Sequence, residues 1–171
     1  MANLITIGIS KIEFGDIAGD GGIASTFAAV GYTAEGSANL ETDDPTVTDF
    51  FAEEIETPIH TEVKMGKTRF NFQLASPDLT QIATIMGLTV SGTGDAAVVN
   101  YPSSTVRVEK SVKITPAVGL VIKIPRGLVH AKFNGPIGRA DTLKLDVTVE
   151  VMQPKKAGTP PMILSLLAGE A

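Results

Sequence analysis

Residues 142–151, TLKLDVTVEV, place Leu143, Leu145, Val147, Val149 and Val151 at every second position, with Lys144, Asp146, Thr148 and Glu150 between them. Successive side chains of a strand point to opposite faces, so this row has one apolar and one polar side. That pattern fits a half-buried strand of an antiparallel sheet. RFNFQL repeats it, with Phe70, Phe72 and Leu74 inward and Asn71 and Gln73 outward. STVRVEKSVKIT alternates from Val106 through Val108, slips at Lys110, and resumes with Val112 and Ile114. The slip marks either a β-bulge or the point where a strand leaves its sheet. Further strands are expected over 3–9, 29–35, 59–65, 118–124 and 128–133.

One segment reads as helix. In SPDLTQIATIMG, Ser76 suits the N-cap and Pro77 the first helical position, where a missing N–H costs nothing. Asp78 complements the helix dipole. Leu79, Ile82, Ala83 and Met86 share one face, and Gly87 supplies the stop. The expectation is a mainly β chain with one short amphipathic helix packed on its core.

A length of 171 residues implies one domain, 1–171, and 43% hydrophobic content is enough for a core. The absence of cysteine excludes disulfides and thiolate metal sites. The start MANLITIGIS lacks a basic segment followed by a long apolar run, so no signal peptide is expected. No apolar stretch approaches the roughly 20 residues of a membrane helix, and no membrane partner is expected.

The net charge of −5 is unevenly spread. Residues 1–60 carry 11 acidic side chains and one basic, Lys11; residues 61–171 carry 8 acidic and 13 basic. A general nucleic-acid binder would carry a basic excess. The polarity instead permits the acidic part of one copy to meet the basic part of another.

Between the strands lies a long acidic segment, 36–59, far above the usual connection of roughly 4–6 residues. From Leu40 to His60 it holds seven carboxylates and no lysine or arginine, yet also Phe50 and Phe51, two of only seven phenylalanines in a chain without tryptophan. Val47, Phe50, Phe51, Ile55 and Ile59 are too many apolar groups for a disordered loop. Either the two rings cap the domain's own core or they enter a neighbouring copy, with charged residues around them. The candidate inter-subunit contact comprises Asp44, Pro45, Val47, Phe50, Phe51, Glu53, Glu54 and Ile55. The Gly-rich stretch Phe14 to Ser25 reads as a plain connection. The apolar run Met162 to Leu167 reads as a last strand or as an arm seeking a neighbour.

Catalysis finds little support. His60 falls in phase with Glu62 and Lys64, and His130 with Leu128 and Lys132, so both read as surface or satisfied strand histidines. Neither G-x-S-x-G nor H-E-x-x-H occurs. Asp16 and Asp20 lack the spacing of an EF-hand loop. Gly92 to Asp95 follows a helix, whereas a phosphate loop opens one. Glu53 and Glu54 are adjacent and form no acid/base pair across a cleft. No enzyme, catalytic residue, metal or cofactor is expected.

YTAEGSANLETDDPTVTDFFAEEIETPIH, followed by KMGKTRFNFQLASPDLTQIATIMGLTV, resembles the tail tube proteins (major tail proteins) of long-tailed bacteriophages and prophages. The similarity runs from about Tyr32 to Val90, roughly a third of the chain. It is carried by AEGS at Ala34–Ser37, DPTVTDFFAEE at Asp44–Glu54, and the start and stop of the helix at Leu74–Gly87. It implies an antiparallel β-sandwich or partial barrel with one short flanking α-helix and a long inter-strand loop. It also implies hexameric rings whose inner sheets join into a tube, stacked head to tail through long loops. The partners would be further copies, other tail proteins, and duplex DNA passing non-specifically through the bore. The location would be the virion tail, assembled in the bacterial host cytoplasm. A bore of neutral or negative character would limit drag on phosphates. The end at Met162–Leu167 departs from the family pattern and leaves open a tail-completion, secretion-tube or injection-device relative. The competing classes are a monomeric β-sandwich binding module and, less well supported, a hydrolytic enzyme.

Overall fold

The computed structural model describes residues 5–104, 106–138 and 142–167. In chain order its elements are β1 (Ile7–Gly15), β2 (Ala28–Ala29), β3 (Asn39–Thr42), β4 (Thr46–Ala52), β5 (Ile55–Lys64), β6 (Thr68–Leu74), α1 (Leu79–Met86), β7 (Val90–Ser91), β8 (Val98–Val99), β9 (Val108–Val118), β10 (Leu120–Asn134), β11 (Lys144–Val151) and β12 (Ile163–Leu166).

The strict alternations behave as the sequence requires. β11 buries Leu145, Val147 and Val149, and its neighbour β6 buries Phe70, Phe72 and Leu74. They belong to one antiparallel sheet in the order β2-β1-β9-β10-β11-β6-β3, and β12 pairs with β10 beyond the end of β11. Ile12 and Phe14 of β1, Val112 and Ile114 of β9, and Ile124 and Val129 of β10 complete one apolar cluster with them.

That cluster requires the sheet to curl. Three strands lie between β1 and β6 along the sheet, yet the rings of Phe14 and Phe72 meet edge to face, with centroids 6.3 Å apart. The segment after β2 stitches the gap. Val30 N–H donates to the Ile12 carbonyl (3.0 Å), while Ala34 N–H donates to Gln73 (2.7 Å) and Ala75 N–H to Tyr32 (2.9 Å). The chain is thus mainly β and antiparallel, a partial barrel with one short helix.

Where the alternation breaks, the structure has bulges. Ile124 faces Val112 and Gly127 faces Lys110, so Pro125 and Arg126 together oppose the single Ser111. The slip visible beside Lys110 is this bulge, with the extra residue on the partner strand. Pro125 has no N–H to offer a ladder, so a bulge accommodates it. The buried Ser111 hydroxyl donates to the Pro125 carbonyl (2.6 Å) and accepts from Ala24 N–H (2.9 Å), tying the Gly-rich connection to the barrel. The expected strands 118–124 and 128–133 are therefore one 15-residue strand, β10. A second register shift, at Ser10, carries the strand expected over 3–9 on to Gly15; residues 3 and 4 lie outside the described residues. The strand expected over 29–35 shrinks to β2 and an isolated bridge at Thr33.

Arg126 leaves the bulge sideways. Its Nε donates to Glu109 Oε2 (2.8 Å), its Nη2 to Oε1 (3.1 Å) and its Nη1 to the Gln153 carbonyl (3.0 Å). These bonds, with a further one from Arg107, hold the Glu109 carboxyl down to about 2, from an ordinary value of 4.5. The contribution is complete above the unfolded value and is lost as the pH falls through the folded one. Glu109→Gln is therefore expected to cost about 1–2 kcal/mol at pH 7. The deficit should shrink as pH falls from 4.5 towards 2, read from urea midpoints across that window.

Two expectations are corrected. The helix cap is Asp78, with Ser76 and Pro77 outside the helix: Asp78 Oδ1 accepts from Gln81 N–H (2.7 Å) and Gln81 Oε1 accepts from Asp78 N–H (3.0 Å). Gly87 ends the helix in the left-handed region, φ 68°. The inward face rotates accordingly: Ala83 and Ile85 are buried, Ile82 and Met86 partly so, and Leu79 is exposed. The long inter-strand loop over 36–59 does not exist as a loop. It is β3, which pairs with β6, followed by β4 and the first half of β5, which pair with each other as a separate two-stranded ribbon.

Candidate assembly surface

The ribbon is rooted firmly. Thr42 and Thr68 share a hydroxyl hydrogen bond (2.9 Å), and Arg69 holds Asp43 through two parallel bonds of 2.9 and 2.8 Å. Asp43 N–H donates to the Lys67 carbonyl (2.9 Å). Gly66 is required where the strands cross out of the sheet, because a Cβ there would stand 1.9 Å from the Asp43 carbonyl oxygen. Beyond this root the strands pair only with each other, and every residue of β5 is exposed.

Cross-strand partners of an antiparallel pair share a face. Val47 opposes Val63 and Asp49 opposes Thr61; the register shifts beyond the Phe50–His60 pair, and alternation along each strand from that pair puts Phe51 and Ile59 on the same side. The Thr61 hydroxyl donates to Asp49 Oδ1 (2.6 Å), so the one carboxylate in this strip is internally bonded. Phe50 opposes His60 on the other side, with ring centroids 5.9 Å apart. Successive side chains of a strand point to opposite faces, so the two phenylalanines lie on opposite sides of β4. They do not cap the chain's own core: Phe50 is 47% exposed and Phe51 59%.

The remaining candidate residues fall at the ribbon's ends. Asp44 and Pro45 lead into β4, Glu53 and Glu54 make the turn, and Ile55 opens β5 opposite Ala52. Among the described residues, Asp44, Glu53, Glu54, Glu56 and Glu62 have no cationic partner. Val63 belongs to the apolar strip and was missed, because by sequence it sits among Glu62, Lys64 and His60.

A second apolar surface arises at the end of the barrel where the ribbon leaves. There a cavity of about 590 Å³ opens to solvent, lined by Ile9, Leu40, Phe70, Ile114, Leu120 and Ile122, with Thr6, Thr33 and Glu35 among the polar lining residues. The core-side faces of β1, β9, β10 and β12 run on past it. Ile7 pairs with Val118, Leu120 with Leu166, and Ile122 with Leu164, and of these Ile7, Val118, Leu164 and Leu166 are exposed. The run Met162 to Leu167 is thus a last strand, with Met162 packed against the core.

The outer face of β3, β6, β11 and β10 is polar and internally bonded. Asp146 accepts from Gln73 (2.8 Å) and Asn134 (2.7 Å), Thr148 donates to Asn71 (2.9 Å), and Asn71 donates to Glu41 (3.0 Å). Lys67 pairs with Glu150 (2.9 Å). His60 and His130 are exposed. Among the described residues no three His, Asp or Glu side chains converge as a metal site, and no helix is long and apolar enough to cross a membrane. No family model matches the chain, and no curated protein matches it significantly.

Proposed function

We propose that this chain is a structural subunit that assembles with copies of itself into rings and then into a tube of the phage-tail kind, a conduit for duplex DNA. One observation carries the reading. The ribbon β4–β5 stands clear of the barrel with Val47, Phe51, Ile59 and Val63 uncovered on one side. An isolated two-stranded hairpin is marginal in water, and a row of uncovered apolar side chains on it marks an interface. The carboxylates around it discourage indiscriminate aggregation and select a basic partner surface.

The polar outer face of β3, β6, β11 and β10 supports the conduit role. Glu41, Asp43, Asp146 and Glu150 stand against Lys67, Arg69, Lys123, Arg126, Lys132 and Lys144 on these strands and the turn before β6, and Lys67, Arg69 and Arg126 are each paired to a carboxylate. A wall of that kind releases few counterions to a passing duplex and so holds it weakly.

Light scattering over rising concentration, with negative-stain imaging of the concentrated protein, tests the reading. Rings or tubes are expected. A species of monomer mass at every concentration would overturn it.

A further inference from the structure

We propose that the ribbon of one copy lies across the open barrel mouth of the copy beside it, so that this contact closes rings. The stacking of rings falls to other surfaces. The inference rests on the self-assembly reading and adds to it the acceptor and the direction of the contact.

The chain carries two apolar surfaces that do not cover each other. One is the convex strip of Val47, Phe51, Ile59 and Val63; the other is the concave mouth with its extension Ile7, Val118, Leu164 and Leu166. A small ligand inside the cavity would leave that extension in water, whereas a two-stranded ribbon is long enough to span both. At roughly 100 Å² for each of the four side chains on either surface, the apolar contact comes to about 800 Å², and the ribbon's polar side chains bring it towards the roughly 1,000 Å² of a specific interface.

Charge argues against ribbon meeting ribbon. From Thr46 to Lys64 the ribbon segment carries Asp49, Glu53, Glu54, Glu56 and Glu62 against Lys64, a net −4, so two ribbons repel. Beside the mouth Lys11, Lys113 and Lys123 stand against Glu13, which pairs with the first two, and Glu35, a net +1.

Register fixes the direction. Arg69, at the start of β6 where the ribbon returns, stands beside Glu150, and Glu150 stands beside Leu128. From Leu128 the strand β10 runs back to Leu120 at the mouth, so donor and acceptor lie at the same end of the barrel. Head-to-tail stacking would need them at opposite ends. A heterologous contact between features at one end joins copies side by side, and such contacts close into rings where the rotation between copies closes.

Two variants test this, Phe51→Asp on the ribbon and Leu166→Asp at the mouth, where Leu166 is 69% exposed. Val118→Asp replaces the second if its melting temperature falls. Each variant alone should be monomeric in sedimentation velocity at concentrations where the wild type forms rings. The concentration for half-assembly should rise at least about tenfold, as expected for loss of an interface anchor. Mixed, they should form a one-to-one dimer that grows no further, because one intact ribbon meets one intact mouth. A folded Leu166→Asp protein that assembles like the wild type overturns the mouth as acceptor and leaves self-assembly standing. Folded variants that stay monomeric when mixed also overturn it. A wild type that never associates overturns both readings.

Discussion

Changing Phe50 and Phe51 together to alanine is expected to leave the barrel folded and to stop the chain from assembling. Neither ring touches the buried cluster built on Phe14, Phe70 and Phe72. Substitutions at such exposed sites stay within about 0.5 kcal/mol. A chain of this size then melts within about 2 °C of the wild type. Assembly is different, because each copy would bring the same aromatic anchors to a contact, and losing such anchors costs about 2 kcal/mol or more per contact. The concentration for half-assembly should rise at least about thirtyfold. Electron microscopy of the double variant is the measurement, and normal rings or tubes would remove the ribbon from the assembly account.

The single variants separate the two rings. Phe51 shares its side with Val47, Ile59 and Val63, so it belongs to a continuous strip, whereas Phe50 is set against His60 on the reverse. Phe51→Ala should therefore reproduce most of the loss, and Phe50→Ala the smaller part. Equal losses would mean that both sides of the ribbon are covered in the assembly.

How much of this was legible in the sequence follows from what burial imposes. β11 and β6 lie with one face on a core and one in water, and their alternation is uninterrupted, so TLKLDVTVEV and RFNFQL read correctly. A bulge inserts one residue and reverses the phase, which is why β1 and β10 showed only fragments of themselves around Ser10 and Pro125. The ribbon has no core side at all. Its apolar strip includes Asp49, and its reverse mixes Phe50 with Thr48 and Glu62, so no period-two signal survives and the segment read as a loop. The helix cap was decidable: Gln81 stands three residues after Asp78 and completes a capping box, while Leu79, three after Ser76, has nothing to offer. Scarcity of aromatic residues was enough to single out Phe50 and Phe51. The mouth could not be found that way. Its side chains come from the ends of strands far apart in sequence, and only the register brings Ile7 to Val118 and Leu120 to Leu166.

Phe72→Ala should have the reverse profile, a large loss of stability with assembly kept. Phe72 is 2% exposed, stacks on Phe70 with centroids 5.3 Å apart, and meets Phe14 edge to face. Removing a fully buried ring forfeits its transfer free energy and leaves a hole that the closed sheet fills poorly, a cost of about 3–5 kcal/mol. The melting temperature should drop by about 10 °C. Well below the melt, the variant should still form rings, because the ribbon is set by Gly66, Lys67 and the Arg69–Asp43 pair, none of which contacts the lost ring through the core. The size of the loss is itself a test of the curl. Phe72 is covered by Phe14 only if β1 and β6 meet across the barrel. A cost below about 1 kcal/mol would place water where the Phe14 ring stands, since an exposed phenylalanine loses little on truncation, and the sheet would then have to be open.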